Sequence, residues 1–238
     1  MKAPSSTRLV GAVFAGAALL AAALVSASLL GSRGDAEPAP AVNGALAGAA
    51  EAGVLLRGIP QDGIALGVPD APVTLVEYAD LQCPYCAVWA RGALPAIVDR
   101  YVRSGRVRLV FRGLAFIGPD SELALRTALA AGGQGRLWNV VHLLYANQGP
   151  ENGGWVTDDL LRRVGSTAGL DPDRLLVLRD SERVDRELLA AQRAADTAGI
   201  RGTPSFQAGP TGGRLEPLPV TSLGPEEIAA RLDELLQG

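Results

Sequence analysis

The sequence predicts an α/β fold in which a small core of strands and helices is interrupted by a block of helices. Strand-like runs at residues 73–78 and 106–111 flank a helical segment at 87–103. A strand, a helix and a second strand in this order form a βαβ unit, whose strands are parallel and whose crossover is right-handed. Another strand and helix follow only after the helical block, so two separated parts of the chain build the core.

Each element of this unit has its own signal. The run VTLVEY at 73–78 is apolar and β-branched, and RVRLVF at 106–111 alternates polar with apolar side chains, as strands do. Residues 87–103 repeat apolar side chains at helical spacing. Pro95 lies inside that segment and predicts a kink, because proline has no N–H to donate.

The interrupting block covers approximately residues 118–198. Its helices are predicted at 121–131, 136–146, 157–167, 172–178 and 181–198. Side chains suited to capping helix N-termini are Asp120 or Ser121, Thr157, Asp171 and Ser181. Beyond the block, 202–207 predicts a turn that enters a strand, and 214–220 an edge strand, since prolines interrupt it. A final helix is predicted from Gly224 to Leu236.

The N-terminus is predicted to carry an export signal of one of two kinds; the alternative is a buried core helix. Residues 9–31 are free of charge, and Lys2 and Arg8 precede them. Such a basic flank stays in the cytoplasm. The segment is long enough for an uncleaved membrane anchor, which needs about 20 apolar residues. A small-residue site at 25–27 also fits a cleaved signal peptide. Either way, the rest of the chain lies outside the cytoplasm, where disulfides persist.

The predicted organisation is an anchor or signal at 1–33, a flexible linker at 34–55 and a folded domain at 56–238. Alanine, glycine and proline dominate the linker, which offers little to bury. The net charge of −3 and the scattered arginines exclude a nucleic-acid footprint. With two cysteines and one histidine, His142, the chain also lacks the usual ligands of a metal site, and we expect no metal and no cofactor.

The two cysteines form a CPYC motif, Cys83 to Cys86, where the first strand meets the helix. Unpaired backbone N–H groups at a helix N-terminus favour negative charge, which lowers a thiol pKa. Cys83 is therefore the predicted nucleophile, open to foreign proteins, and Cys86 the shielded resolving thiol. Pro84 suits the first turn of a helix, and Tyr85 offers an aromatic surface to substrates. A structural disulfide and half of a zinc site are the alternatives.

Three stretches, VTLVEYADLQCPYC, RLWNVVHLLYANQ and AADTAGIRGTPSFQ, carry a family resemblance. The sequence resembles the DsbA-like branch of the thioredoxin superfamily, extracytoplasmic thiol-disulfide oxidoreductases that are often membrane-tethered in Gram-positive and related bacteria. This resemblance implies a thioredoxin-like fold with a helical domain inserted before a proline loop. Tyr85 departs from the CPHC motif typical of Gram-negative members, so the redox poise stays open.

The resemblance also implies roles for individual residues. Pro204 would be a cis-proline facing the dithiol, and Thr203 would offer its backbone to an extended substrate. Pro84 and Tyr85 would contact the substrate as well. Glu77, six residues before Cys83, would be a buried acid that relays the proton of Cys86. The alternative for Glu77 is an exposed charge on a strand.

The function expected from these features is disulfide formation in exported proteins. By resemblance, a quinone-linked membrane partner of the DsbB or VKOR type would restore the oxidised state. An outward-facing reductase or isomerase would use the same two cysteines in another redox state. A redox-inactive binding or chaperone module on the membrane would need neither cysteine.

Overall fold

The computed structural model describes residues 45–237, which contain one mixed sheet. Its strands are β1 Gln61–Asp62, β2 Ala65–Leu66, β3 Val73–Asp80, β4 Val107–Leu114, β5 Ser205–Pro210 and β6 Glu216–Leu218. Their order across the sheet is β1-β2-β4-β3-β5-β6. The central strands β3 and β4 pair in parallel, and every other neighbouring pair is antiparallel.

Helices connect and cover these strands. They are α1 Ala49–Leu55, α2 Pro84–Gly92, α3 Leu94–Ile97, α4 Pro119–Gly132, α5 Leu137–Ala146, α6 Asp158–Thr167, α7 Pro172–Leu178, α8 Glu182–Ala198 and α9 Glu226–Leu235. A π-helical turn, Val98–Val102, continues α3. Helices α4 to α8 form the predicted block between the βαβ unit and β5. The predicted α/β core with a helical insert is confirmed.

The βαβ unit has the predicted elements, with a break where a kink was expected. Helix α2 ends at Gly92, and α3 begins at Leu94 with Pro95 in its first turn. Because Pro95 has no N–H, it cannot continue the hydrogen bonds of α2. Strand β4 runs to Leu114, three residues past its predicted end, because its full length pairs with β3.

Strand β3 divides the core into two faces. Leu75 and Ala79 belong to the main cluster, which includes the buried side chains of α2. Val76 and Tyr78 point the other way, since successive strand side chains alternate, and they pack with Ala195 of α8. The dithiol helix and the long helix of the insert therefore lie against opposite faces of the same strand.

Hairpins lie at both edges of the sheet. The predicted edge strand at 214–220 is confirmed for β6, which pairs with β5 and places Pro217 at the edge of the sheet. The β1–β2 hairpin was not predicted, because each of its strands has two residues and leaves no periodic pattern.

The prediction of a flexible linker over 34–55 is wrong for its last part. Residues 49–55 form α1, which packs through Ala52 and Leu55. Leu46, just before α1, is also buried. Alanine favours helix formation, and a few leucines give a short helix an apolar face that can pack against the core. The compact unit begins at Ala45 rather than at residue 56.

The predicted anchor or signal at 1–33 lies outside the described residues, as does the first part of the linker. Within residues 45–237, no helix has the length and apolar character needed to cross a bilayer.

The packing of α1 predicts unequal effects of two neighbouring substitutions. Leu55→Ala removes a side chain that is 7% exposed and should lower the free energy of unfolding by about 2–4 kcal/mol. Val54→Ala changes a side chain that is 67% exposed and should stay within about 0.5 kcal/mol of the wild type. Urea unfolding of both variants measures the difference, and equal effects would contradict the packing of α1.

Candidate active site

The two cysteines lie where β3 turns into α2. Cys83 is the N-cap residue of α2, with extended backbone at φ −68° and ψ 119°, and Pro84 takes the first helical position. Both cysteines are free thiols. Cys83 is 5% exposed and Cys86 is fully buried. Cys83 is therefore less accessible to foreign proteins than predicted, although it exposes more surface than Cys86.

Hydrogen bonds to Cys83 lower the pKa of its thiol to about 6. The largest cause is the thiol of Cys86, which donates to Cys83 Sγ; burial opposes the effect. The Thr203 hydroxyl and the backbone N–H groups of Tyr85 and Cys86 contribute less. The sequence had pointed to the helix N-terminus as the stabilising feature. The backbone N–H groups do take part, but the second sulfur has the larger effect.

Cys86 has the opposite character. Burial raises the pKa of its thiol far above the usual range, and the bond to Cys83 and the nearby Glu77 carboxyl raise it further. At neutral pH the pair therefore holds one thiolate and one thiol, with the proton on the buried sulfur.

Glu77 is buried on β3, 1% exposed, so the alternative of an exposed strand charge is wrong. Burial raises the pKa of its carboxyl to about 8, and the indole N–H of Trp89 opposes part of this rise. Glu77 Oε1 and Trp89 Nε1 nevertheless form no hydrogen bond of good geometry with any residue in the described range. Because the charged form receives so little compensation, the neutral acid predominates at neutral pH.

The proline loop closes the site from the other side. The Thr203–Pro204 peptide bond is cis, as the resemblance implied. When protonated, Cys83 Sγ donates to the Thr203 carbonyl oxygen at 3.3 Å. Phe206, two residues after Pro204, packs edge-on against Trp89 with ring centroids 4.8 Å apart. This contact ties the start of β5 to the helix that carries the dithiol.

Large apolar side chains are exposed on α2 and in the loop after β4. Tyr85 is 65% exposed and Val88, one turn further along α2, is 57% exposed. Phe116, in the loop after β4, is also exposed, and its backbone N–H donates to the Asp80 carboxylate. Pro84 is exposed beside Tyr85. An aromatic surface at Tyr85 agrees with the prediction from the motif.

Sequence reasoning missed the importance of Asp80. This residue at the end of β3 is fully buried. Its carboxylate accepts hydrogen bonds from the backbone N–H groups of Gln82, Phe116 and Ile117 and from the Ser121 hydroxyl, at 2.6 to 3.2 Å. These donors replace the water that a buried carboxylate loses. Asp80 thereby joins the segment before Cys83 to the first turn of the insert.

Other polar side chains of the insert hold the same segment. Gln82 is buried and bonds Ser121 and both the backbone and side chain of Asn152. The Tyr145 hydroxyl donates to the Asp80 carbonyl at 3.2 Å. The sequence signal for this network was the polar pair Asp80 and Gln82, which follows the predicted strand at 73–78. Polar residues in that position are more simply interpreted as a solvated loop.

His142 is buried on α5, 8% exposed, and its Nδ1 has no hydrogen-bond partner within residues 45–237. Burial lowers the pKa of its imidazole. The side chain lies against α1, since a Cβ at Gly48 would come within 3.4 Å of the ring.

Comparisons with known proteins agree with this geometry. A family model described as Thioredoxin matches residues 60–212. The probable disulfide bond formation protein D of Bacillus cereus is 38% identical over 98 residues, 40% of this chain and 45% of the relative. Disulfide bond formation protein D of Bacillus subtilis is 32% identical over 152 residues, 61% of this chain and 64% of the relative.

Among solved structures, the oxidised form of BdbD from Bacillus subtilis matches with a TM-score of 0.65 and 25% identity, covering 76% of this chain and 97% of that one. By sequence, the chain spans about half the length of the Bacillus cereus relative.

The bond between the sulfurs predicts different titrations for two variants. Cys86→Ser keeps a hydroxyl donor beside Cys83, whereas Cys86→Ala removes the donor. Each variant has a single thiol. We expect a higher Cys83 pKa in Cys86→Ala than in Cys86→Ser, measured by thiolate ultraviolet absorbance against pH. Identical titrations would show that the second sulfur does not stabilise the first.

The burial of Glu77 predicts a pH-dependent stability of the reduced protein. Its folded pKa of about 8 exceeds the ordinary 4.5, so the unfolded chain releases this proton first as the pH rises. The contribution to stability is therefore present below pH 4.5 and is lost as the pH rises to 8. Glu77→Gln should be more stable than the wild type at pH 8, by on the order of 4 kcal/mol, and similar to it in acid.

Chemical unfolding across this pH range tests the expectation, with Glu151→Gln, at an exposed loop position, as the matched control. A difference between Glu77→Gln and the wild type that does not change with pH would contradict a raised pKa at Glu77.

Proposed function

Since the chain belongs to the thioredoxin family and resembles its DsbA-like members, we propose that it is a thiol-disulfide oxidoreductase that forms disulfides in exported proteins. The observation that carries this proposal is the contrast between two sulfurs on one helix. The pKa of Cys83 is lowered to about 6, whereas that of Cys86 is raised. Thiol-disulfide exchange needs this division between one sulfur that forms the mixed disulfide and one that resolves it.

The reaction begins with the Cys83–Cys86 disulfide. A client thiolate attacks Cys83 Sγ, the bond between the two protein sulfurs breaks, and Cys86 leaves and takes up a proton. A second client thiolate then attacks the client sulfur of the mixed disulfide. The client disulfide forms, Cys83 leaves as a thiolate, and two electrons have passed from the client to the dithiol.

Glu77 is the proposed donor and acceptor of the Cys86 proton. It is close enough that its carboxyl, once ionised, raises the pKa of Cys86, and both groups are buried. Its own pKa of about 8 lets it hold or release a proton near neutral pH, as general acid-base catalysis requires.

The client contacts follow from the shape of the opening. Cys83 exposes little surface, so the client must present its cysteine on an extended segment. Thr203 and Pro204 border the sulfur on one side and would align that segment by backbone contacts. On the other side, Pro84 and Tyr85 give it an exposed apolar surface.

The hydrogen bond from Cys86 to Cys83 favours oxidation of clients over reduction. This bond exists only in the dithiol form, so it stabilises the reduced protein relative to its disulfide. A reduced form stabilised in this way makes a dithiol protein a stronger oxidant. A reductase would instead be helped by a stable disulfide.

The place of action is proposed from the N-terminal sequence. The apolar segment 9–31 behind Lys2 and Arg8 supports a single-pass anchor with the catalytic domain outside the cytoplasm, or a signal peptide that is cleaved. A membrane protein of the DsbB or VKOR type is the proposed acceptor of the electrons. This last step rests on the family resemblance.

Trapping of cellular thiols tests the proposed direction of electron flow. We expect the full chain to be mainly oxidised at steady state, and Cys86→Ser to accumulate mixed disulfides with exported proteins through Cys83. The variant Cys83→Ser should accumulate none. A chain held reduced in cells would indicate an outward-facing reductase. A phenotype unchanged by Cys83→Ser would indicate a binding module without redox chemistry.

A further inference from the structure

Gln148 connects the helical insert directly to the backbone of the dithiol segment. It lies two residues beyond the end of α5 and is half-buried. Its amide Nε2 donates to the Leu81 carbonyl oxygen at 2.8 Å and to the Cys83 carbonyl oxygen at 3.2 Å. Both N–H bonds of one amide are thus used on the two carbonyls that bracket Gln82.

The Cys83 carbonyl oxygen also accepts a second hydrogen bond. It accepts the first hydrogen bond inside α2, from the backbone N–H of Ala87 at 3.2 Å. The Cys83 N–H donates to the Asp80 carbonyl at 3.0 Å. Both backbone groups of Cys83 are therefore hydrogen-bonded. Among residues 45–237, Gln148 supplies the one bond to its carbonyl that comes from outside the local turn and helix.

This backbone position determines the surroundings of the sulfur. Cys83 Sγ receives the N–H groups of Tyr85 and Cys86 only while Cys83 keeps its N-cap conformation at the start of α2. A rotation of the Cys83 peptide group would move its Cβ and sulfur relative to these donors and to Thr203.

We propose that Gln148 is a positioning residue for the nucleophilic sulfur: its side-chain amide holds the Leu81 and Cys83 carbonyls so that Cys83 Sγ stays against its hydrogen-bond donors. The proposal deepens the oxidoreductase function proposed above and rests on it. Gln148 does not touch the sulfur, and it acts through the backbone. A residue of the helical insert thereby affects the reactivity of Cys83, which belongs to the βαβ unit.

The neighbouring residue provides a matched control. Asn147 has the same amide group, but it bonds Ala47 and Leu143 rather than the dithiol segment. Loss of its amide should loosen the contact with the segment before α1 and leave the carbonyls of Leu81 and Cys83 held.

The experiment compares the Cys83 titration of the reduced full chain in the wild type, Gln148→Met and Asn147→Leu. Thiolate absorbance is recorded against pH, and the equilibrium with glutathione is measured in parallel. Gln148→Met keeps the side-chain length without the donors. We expect its thiolate fraction at acidic pH to fall about threefold, equal to about half a pKa unit, and its equilibrium with glutathione to shift toward the disulfide by a similar factor. Asn147→Leu should match the wild type in both.

The proposal would be overturned if folded Gln148→Met had the same Cys83 titration as the wild type. It would also be overturned if Asn147→Leu shifted the titration as much as Gln148→Met. If Gln148→Met fails to fold, Gln148→Glu provides the second measurement, because it keeps the shape but places carboxylate oxygens against the two carbonyls. It should shift the titration in the same direction, and an unshifted titration would overturn the proposal. An ordinary thiol pKa in the wild type itself would instead count against the oxidoreductase function.

Discussion

The interaction of the Cys86 thiol with the Cys83 sulfur is the one on which the lowered pKa of Cys83 most depends. It forms only if two residues one helical turn apart face the same way, and this requires Cys83 to be the N-cap of a helix that begins at Pro84. It is also strong only because both sulfurs are shielded from water, since a low local dielectric strengthens hydrogen bonds. The strand before Cys83, the helix after it and the Thr203 carbonyl of the proline loop together position the Cys83 sulfur.

The insert supports this contact with polar groups. Asp80 is a buried carboxylate without an ion-pair partner in the described part of the chain, stabilised by N–H and O–H donors. Such a group is costly to bury unless every donor is in place, so its network has few alternative arrangements. Glu77, three residues earlier, lacks such donors and stays protonated. Two acids on one strand thus have opposite surroundings, since Asp80 is surrounded by hydrogen-bond donors and Glu77 is not.

The helices and strands with strong periodicity could be predicted from the sequence. The contacts between these elements could not. The parallel strands and the helices of the insert follow from local patterns, and Thr157 and Asp171 cap their helices as predicted. Ser181 makes no cap bond, and α4 begins at Pro119 after Gly118, ahead of the predicted caps. Helix α1 was missed because its burial depends on a partner surface on α5 that no local pattern shows.

The site shows the same limit. The motif and the resemblance located Cys83, Cys86, Glu77 and the cis-proline. The roles of Asp80, Gln82 and Gln148 depend on contacts between residues far apart in the chain, such as Gln148 with Cys83. Glutamine and asparagine are so common in loops that only the fold distinguishes a positioning amide from a solvated one.

The position of α1 relative to the family match has a practical consequence. The matched region begins at residue 60, whereas Leu46, Leu55 and Leu56 are buried against the rest of the domain. A fragment that begins at residue 60, where the family match begins, would expose apolar side chains of α5 and its neighbours to water. Exposed patches of this kind promote self-association. Solubility of the isolated domain should thus depend on a short helix that family boundaries leave out.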